Sequence, residues 1–234
     1  MNIGIKHRLT LIAPALLLAD LAGAELPPQP RAPGIESPGY VWNQPNEEQM
    51  VALAHEADPL NGEEAYAVCR GCHQKDGAGR ADAIYPQLAG QHATVLIKQM
   101  VDVRSGLRDN PKMHPFAAEW AVSTEEVADI AAYLSGLPIP TTNLKGAGSD
   151  LERGRALYER DCATCHGQGG EGDAAEFYPR VASQHYSYLE HESRLIRDGV
   201  RRNANPEMVK AIADYTDAEI AAVSDYLSRL ALAR

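Results

Sequence analysis

The feature that most constrains this chain is a five-residue motif written twice. Cys69-Arg-Gly-Cys72-His73 recurs as Cys162-Ala-Thr-Cys165-His166 at an offset of 93. The same offset carries Gly77 and Gly79 onto Gly170 and Gly172, Tyr85-Pro86 onto Tyr178-Pro179, Gln91-His92 onto Gln184-His185, and Gly106 onto Gly199. It also carries Tyr133-Leu134-Ser135 onto Tyr226-Leu227-Ser228. A repeat this long and present twice is a duplicated domain, not a solenoid. One stretch breaks register: Asn110-Pro111-Lys112-Met113 matches Asn205-Pro206-Glu207-Met208 at an offset of 95. The second copy therefore gains two residues before its methionine and loses two after it.

Each copy reads as helical, so the expected fold class is all-α with two tandem domains. A middle helix carries Val95, Leu96, Met100 and Val103 in one copy and Tyr188, Leu189, Leu195 and Ile196 in the other. The last helix opens at Ser123-Thr-Glu-Glu126 or Thr216-Asp-Ala-Glu219, with the hydroxyl-to-glutamate spacing of a capping box. The expected layout is a leader at 1–24, a proline-rich arm at 25–50, a first domain at 51–140, a linker at 141–149 and a second domain at 150–234.

On a helical turn, residues i, i+3 and i+4 share a face. Two thiols at that spacing can add to the two vinyl groups of a haem while the next imidazole reaches the iron. A zinc site would require both halves to share one ion and would leave His73 and His166 unexplained. A thioredoxin-like dithiol would need an alternating strand and helix pattern, which is missing here. Disulfides between such close neighbours are uncommon. The duplicated motif therefore predicts two covalently bound haems, through Cys69 and Cys72 and through Cys162 and Cys165. With only 6% aromatic residues, the chain has room in its cores for such a group.

His73 and His166 each leave the opposite face of an iron open. Met113 and Met208 are the expected ligands there, because they repeat through both length changes and a soft thioether suits haem iron. Met100 serves as a control, since its repeat position is Ser193. His92 and His185 also repeat, at the start of the middle helix, and are expected on the surface or beside the propionates rather than on iron. His114 lacks a repeat partner; His55 and His191 lack one too and are expected to face solvent.

The N-terminus places Lys6 and Arg8 before an apolar run at 9–19 and Ala22-Gly23-Ala24, the order of a cleavable secretory signal with cleavage after Ala24. A membrane span needs roughly 17 to 25 apolar residues, so no span is expected in the mature chain. The mature chain is therefore expected to be exported. A net charge of −10 leaves no basic field for nucleic acid. Residues 46–140 carry −7 and residues 147–234 carry −4, with Arg194, Arg197, Arg201 and Arg202 close together. That cluster predicts that the two halves dock on differently charged partners.

Taken together, these residues resemble the dihaem cytochromes c of the cytochrome c4 type, over roughly residues 50 to 234. The resemblance implies tandem class I cytochrome c domains that carry single electrons in the bacterial periplasm. They would link a donor dehydrogenase or respiratory complex to a terminal acceptor and would catalyse no reaction of their own. It further implies that the carbonyls of Pro86 and Pro179 accept hydrogen bonds from the proximal histidines. Gly62 with Tyr66 and Tyr133, and Gly154 with Tyr158 and Tyr226, would then mark the crossing of first and last helices. An electron-relay subunit of a dehydrogenase complex, such as a thiosulfate dehydrogenase, is the alternative. The thiosulfate enzymes use a cysteine as haem ligand, and all four cysteines here are committed to attachment. The proline-rich arm lies outside this pattern.

Overall fold

A computed structural model describes residues 26–231. The expected leader and its cleavage site lie outside the described residues. The first half contains α1 (Glu47–Ala54), α2 (Pro59–Ala65), α3 (Arg70–His73), α4 (Ala93–Ser105), α5 (His114–Ala117) and α6 (Thr124–Gly136). The second contains α7 (Leu151–Asp161), α8 (Ala163–His166), α9 (Tyr186–Arg197), α10 (Pro206–Ile212) and α11 (Asp217–Arg229). Among the described residues there is no strand, only an isolated bridge from Arg80 to Tyr85 and its repeat equivalent from Asp173 to Tyr178. No described helix is long and apolar enough to cross a membrane.

Both capping boxes form as the spacing predicts. Ser123 and Glu126 cap α6 reciprocally, and Thr216 and Glu219 do the same for α11. The closing helix of each copy crosses the opening one at a glycine. A Cβ on Gly62 would collide with the Asp129 carbonyl, and one on Gly154 with the Ala222 carbonyl, so only glycine permits the crossing. One turn on, Tyr66 packs on Tyr133 and Tyr158 on Tyr226, both at 5.7 Å between ring centroids. Each copy keeps its own apolar core. Val101, Val127 and Leu134 anchor the first, and Leu157, Ile220 and Val223 the second. The control residue Met100 is half-buried against the first core, which is ordinary packing.

The two domains meet across contacts that repeat at the offset of 93. Gln91 and Arg180 exchange two hydrogen bonds of 2.9 Å, and Gln184 and Gln87 exchange two of 2.8 and 2.9 Å. His92 Nε2 meets the Glu171 carbonyl at 2.8 Å and His185 Nε2 the Ala78 carbonyl at 2.8 Å. Thr94 donates to the Ala174 carbonyl as Ser187 does to the Ala81 carbonyl. Near the centre, Arg108 and Arg201 both contact Gln99 and Glu192. Equivalent residues make equivalent bonds in opposite directions, so the domains pair about a local pseudo-twofold axis.

The proline-rich arm has no core of its own, as expected of its composition. It is nevertheless docked on both domains. Ala32 N donates to the Ser105 carbonyl at 3.1 Å, and Ile35 N to the Arg202 carbonyl at 2.9 Å. Trp42 stacks on Tyr178 at 5.7 Å, with Lys98 over its ring. After the arm, α1 packs against α4 and α6. It has no counterpart in the second copy.

Candidate haem sites

The attachment motifs sit on single helical turns. Cys72 N and His73 N donate to the Cys69 carbonyl at 3.3 and 3.0 Å, and Cys165 N and His166 N to the Cys162 carbonyl at 3.2 and 3.0 Å. These bonds put both sulfurs and the imidazole on one face of each turn. None of the four cysteines pairs in a disulfide. Burial pushes Cys69 up to about 11 and Cys162 up to about 12, the opposite of what a redox dithiol needs. Among the described residues, no group of three or more His, Cys, Asp or Glu converges as a metal site, so the four sulfurs do not gather around one zinc.

The histidine rings are held by the loops that follow them. His73 Nδ1 lies 3.2 Å from the Pro86 carbonyl, and His166 Nδ1 lies 3.0 Å from the Pro179 carbonyl. A carbonyl only accepts, so Nδ1 carries the hydrogen and Nε2 keeps its lone pair. Burial lowers the affinity of both rings for a second proton, against the opposing pull of the proline carbonyls. His73 is only 8% exposed. The loops repeat as well: Gly79 N donates to the His73 carbonyl at 3.0 Å, and Gly172 N to the His166 carbonyl at 2.8 Å. A neutral imidazole with a free Nε2, next to two thiols on the same face, fits a covalently attached haem in each domain.

The methionines occupy matching places in the fold. Met113 precedes α5 as its N-terminal cap, and Met208 lies in the first turn of α10; both are half-buried. The asparagines that repeat with them each accept a nearby backbone amide, and Asn205 caps α10, a role the repeat did not reveal. Asn110 Oδ1 accepts from Met113 N at 3.1 Å, and Asn205 Oδ1 from Glu207 N at 2.9 Å. The Asn-Pro pair is the signal that could have revealed the cap before α10, where Pro206 is the first helical residue.

Other expectations need correction. His55 does not face solvent freely: it is half-buried and its Nε2 lies 3.2 Å from Asp129 Oδ1. His114 is 4% exposed and meets Trp120 edge to face at 5.6 Å, while His191 is exposed as expected. His92 and His185 are interdomain contacts, and His185 also accepts at Nδ1 from Leu144 N at 3.1 Å. The arginine cluster is not a free positive patch. Arg194 pairs with Glu190, Arg197 with Asp217, Arg201 with Glu192 and Arg202 with Glu36, at 2.8, 2.8, 2.8 and 2.6 Å. Each guanidinium found a carboxylate that the sequence places close in the chain or brings across the fold.

Two helical domains that each present paired thiols and a carbonyl-locked imidazole on one turn define a two-haem protein of the c type, with both haems covalently bound. The cytochrome c family model matches residues 60–138 and 151–231, and the chain belongs to that family. A thiosulfate dehydrogenase electron acceptor of Stutzerimonas stutzeri (strain A1501) is 34% identical over 200 residues, covering 77% of this chain and 91% of that protein. Cytochrome c4 of Azotobacter vinelandii is 33% identical over 204 residues, covering 77% and 93%. The crystal structure of reduced recombinant cytochrome c4 from Pseudomonas stutzeri superposes with a TM-score of 0.67 at 27% identity, covering 75% of this chain and 100% of that one. The chain is thus a dihaem electron-transfer cytochrome with one haem c in each domain.

Proposed function

We propose that this chain is a periplasmic one-electron carrier in which His73 and Met113 ligate the iron of the first domain, and His166 and Met208 that of the second. The observation that carries this reading is the pair of carbonyl-locked imidazoles, at 3.2 Å to Pro86 and 3.0 Å to Pro179, each keeping Nε2 free for iron. When bound, the haem supplies the Fe(III)/Fe(II) couple. The protein's residues do the rest. The proline carbonyls orient the imidazoles and raise their basicity, Met113 and Met208 would supply the second ligand to each iron and favour the reduced state, and the cysteines would keep each haem from leaving.

With Met113 and Met208 as second ligands, no open site would be left for a small molecule, and the chain would carry electrons without catalysing a reaction of its own. Its leader-like N-terminus and covalent haem attachment support export to the periplasm. The relative named as a thiosulfate dehydrogenase electron acceptor supports a dehydrogenase as donor, either to a free shuttle or to a relay subunit. A spectroelectrochemical titration of the exported protein tests the reading. Two one-electron waves, low-spin haem in both states and no carbon monoxide binding are expected. A high-spin haem that binds carbon monoxide would return catalysis to consideration.

A further inference from the structure

The arm at 26–45 lies outside the family match and has no counterpart in the repeat. It contacts both loops that lead to the methionines. On the first domain, Gln29 Nε2 donates to the Val103 carbonyl at 2.7 Å and to the Arg108 carbonyl at 2.8 Å, and Gln29 Oε1 accepts from Asn110 N at 2.9 Å. Asn110 is the residue whose side chain caps Met113 N. The fit is close, because a Cβ on Gly106, at the start of this loop, would collide with the Pro30 carbonyl.

On the second domain the arm reaches the equivalent loop by other means. Tyr40 OH donates to the Ala204 carbonyl at 3.2 Å, one residue before the Asn205 cap of α10. Arg202 accepts the amide of Ile35 at its carbonyl, and its guanidinium bonds Glu36 at 2.6 and 2.9 Å. The same guanidinium donates to the Gly106 carbonyl of the first domain at 2.7 Å and to the Ala32 carbonyl of the arm. Arg202 and Asn203 lie in the stretch that is two residues longer than its counterpart in the first copy. Asn203 donates to Asp102 of the first domain at 2.8 Å. The extra length thus brings the second methionine loop to the arm and to the other domain.

We infer that the arm is a positioning element for both axial methionines, with Gln29 bracing the Met113 loop and Tyr40 and Glu36 bracing the Met208 loop. This rests on methionine ligation as proposed above. A braced loop keeps the thioether close to its iron, so an exogenous ligand must wait for the loop to open. Removing Gln29 strips bonds from two carbonyls and one amide that fix the loop before Met113. Tyr40 supplies a single bond to the other loop.

The test uses the full-length, haem-loaded protein and its Gln29→Ala and Tyr40→Phe variants. The reduced forms are examined by proton NMR for the ring-current-shifted methyl signal of each axial methionine. The oxidised forms are titrated with imidazole, and hydrogen exchange is followed at the Asn110 amide. Gln29→Ala is expected to tighten imidazole binding at the first haem about tenfold, leave the second unchanged, and speed exchange at Asn110. Tyr40→Phe is expected to act at the second haem alone, by a factor of about 3. Two methyl signals in the parent protein with no site-specific change in either variant, or with equal changes at both haems, would overturn the brace. A parent protein lacking those signals would overturn methionine ligation itself, and the brace with it.

Discussion

The two copies differ least at their haem-attachment turns and most around their methionine loops. Attachment turn, glycine loop and proline carbonyl repeat at one offset, with His-to-carbonyl distances of 3.2 and 3.0 Å. The methionine loops repeat only after a two-residue insertion, and the contacts around them are unlike. Gln29 serves one loop and Tyr40, Glu36 and Arg202 the other. Duplication therefore delivered two equal cofactor seats, and the segments outside the duplication made them unequal. A second asymmetry lies at the interface. Arg180 occupies the position of Gln87, is 2% exposed, and has no carboxylate partner among the described residues. Its guanidinium donates only to the carbonyls of Ala89, Gly90 and Ala182, at 2.7, 3.1 and 2.7 Å, and burial lowers it to about 10.

The largest effect should come from the part the copies share. Gly62→Ala and Gly154→Ala each force a Cβ into the carbonyl of a crossing helix. Each is expected to cost about 3 kcal/mol in its own domain. Denaturant melts that report each haem separately check this, and a markedly smaller loss in one copy would break the equivalence. A smaller effect tests the interface asymmetry. Arg180→Gln copies the residue of the first domain into the second and removes a buried cation beside Pro179. It is expected to lower the potential of the second haem by tens of millivolts while leaving the first close to its original value, as potentiometric titration would register. A drop of equal size at both haems would place the charge midway between them instead.

The smallest effect concerns the arm. Glu36 is held down to about 2, chiefly by its hydrogen bond from Arg202. Its folded-state pKa lies below the ordinary carboxylate value, so its contribution to docking is complete above pH 4.5 and fades as pH falls toward 2. Hydrogen exchange at the Ala32 and Ile35 amides is expected to quicken across that window, and Glu36→Gln should flatten the dependence. An unchanged pH profile in the variant would assign the effect to another carboxylate.

Much of this organisation is legible in the sequence. The capping boxes at Ser123 and Thr216 are local and form as their spacing dictates. The repeat located the seats because covalent haem chemistry demands a fixed spacing. It was less informative about Gln91, His92, Gln184 and His185, since a repeated polar residue can serve a ligand or a partner domain equally well. They proved to be the interface. The arm's docking was not legible, because Gln29 bonds residues 74 and 79 positions away and Glu36 one 166 away, beyond any periodic signal. The pairing of the arginine cluster was hidden for a related reason. Nearness in sequence concealed that each guanidinium already had a carboxylate.

The most direct test of the central claim is the sulfur-to-iron charge-transfer band of the fully loaded, oxidised protein, measured per haem in the parent chain and in Met113→Lys and Met208→Lys. Two equivalent seats, each closed by its own methionine, predict a full band in the parent and half of it in either variant. An unchanged band in either variant would contradict the account, because that methionine would not be the group that closes its site.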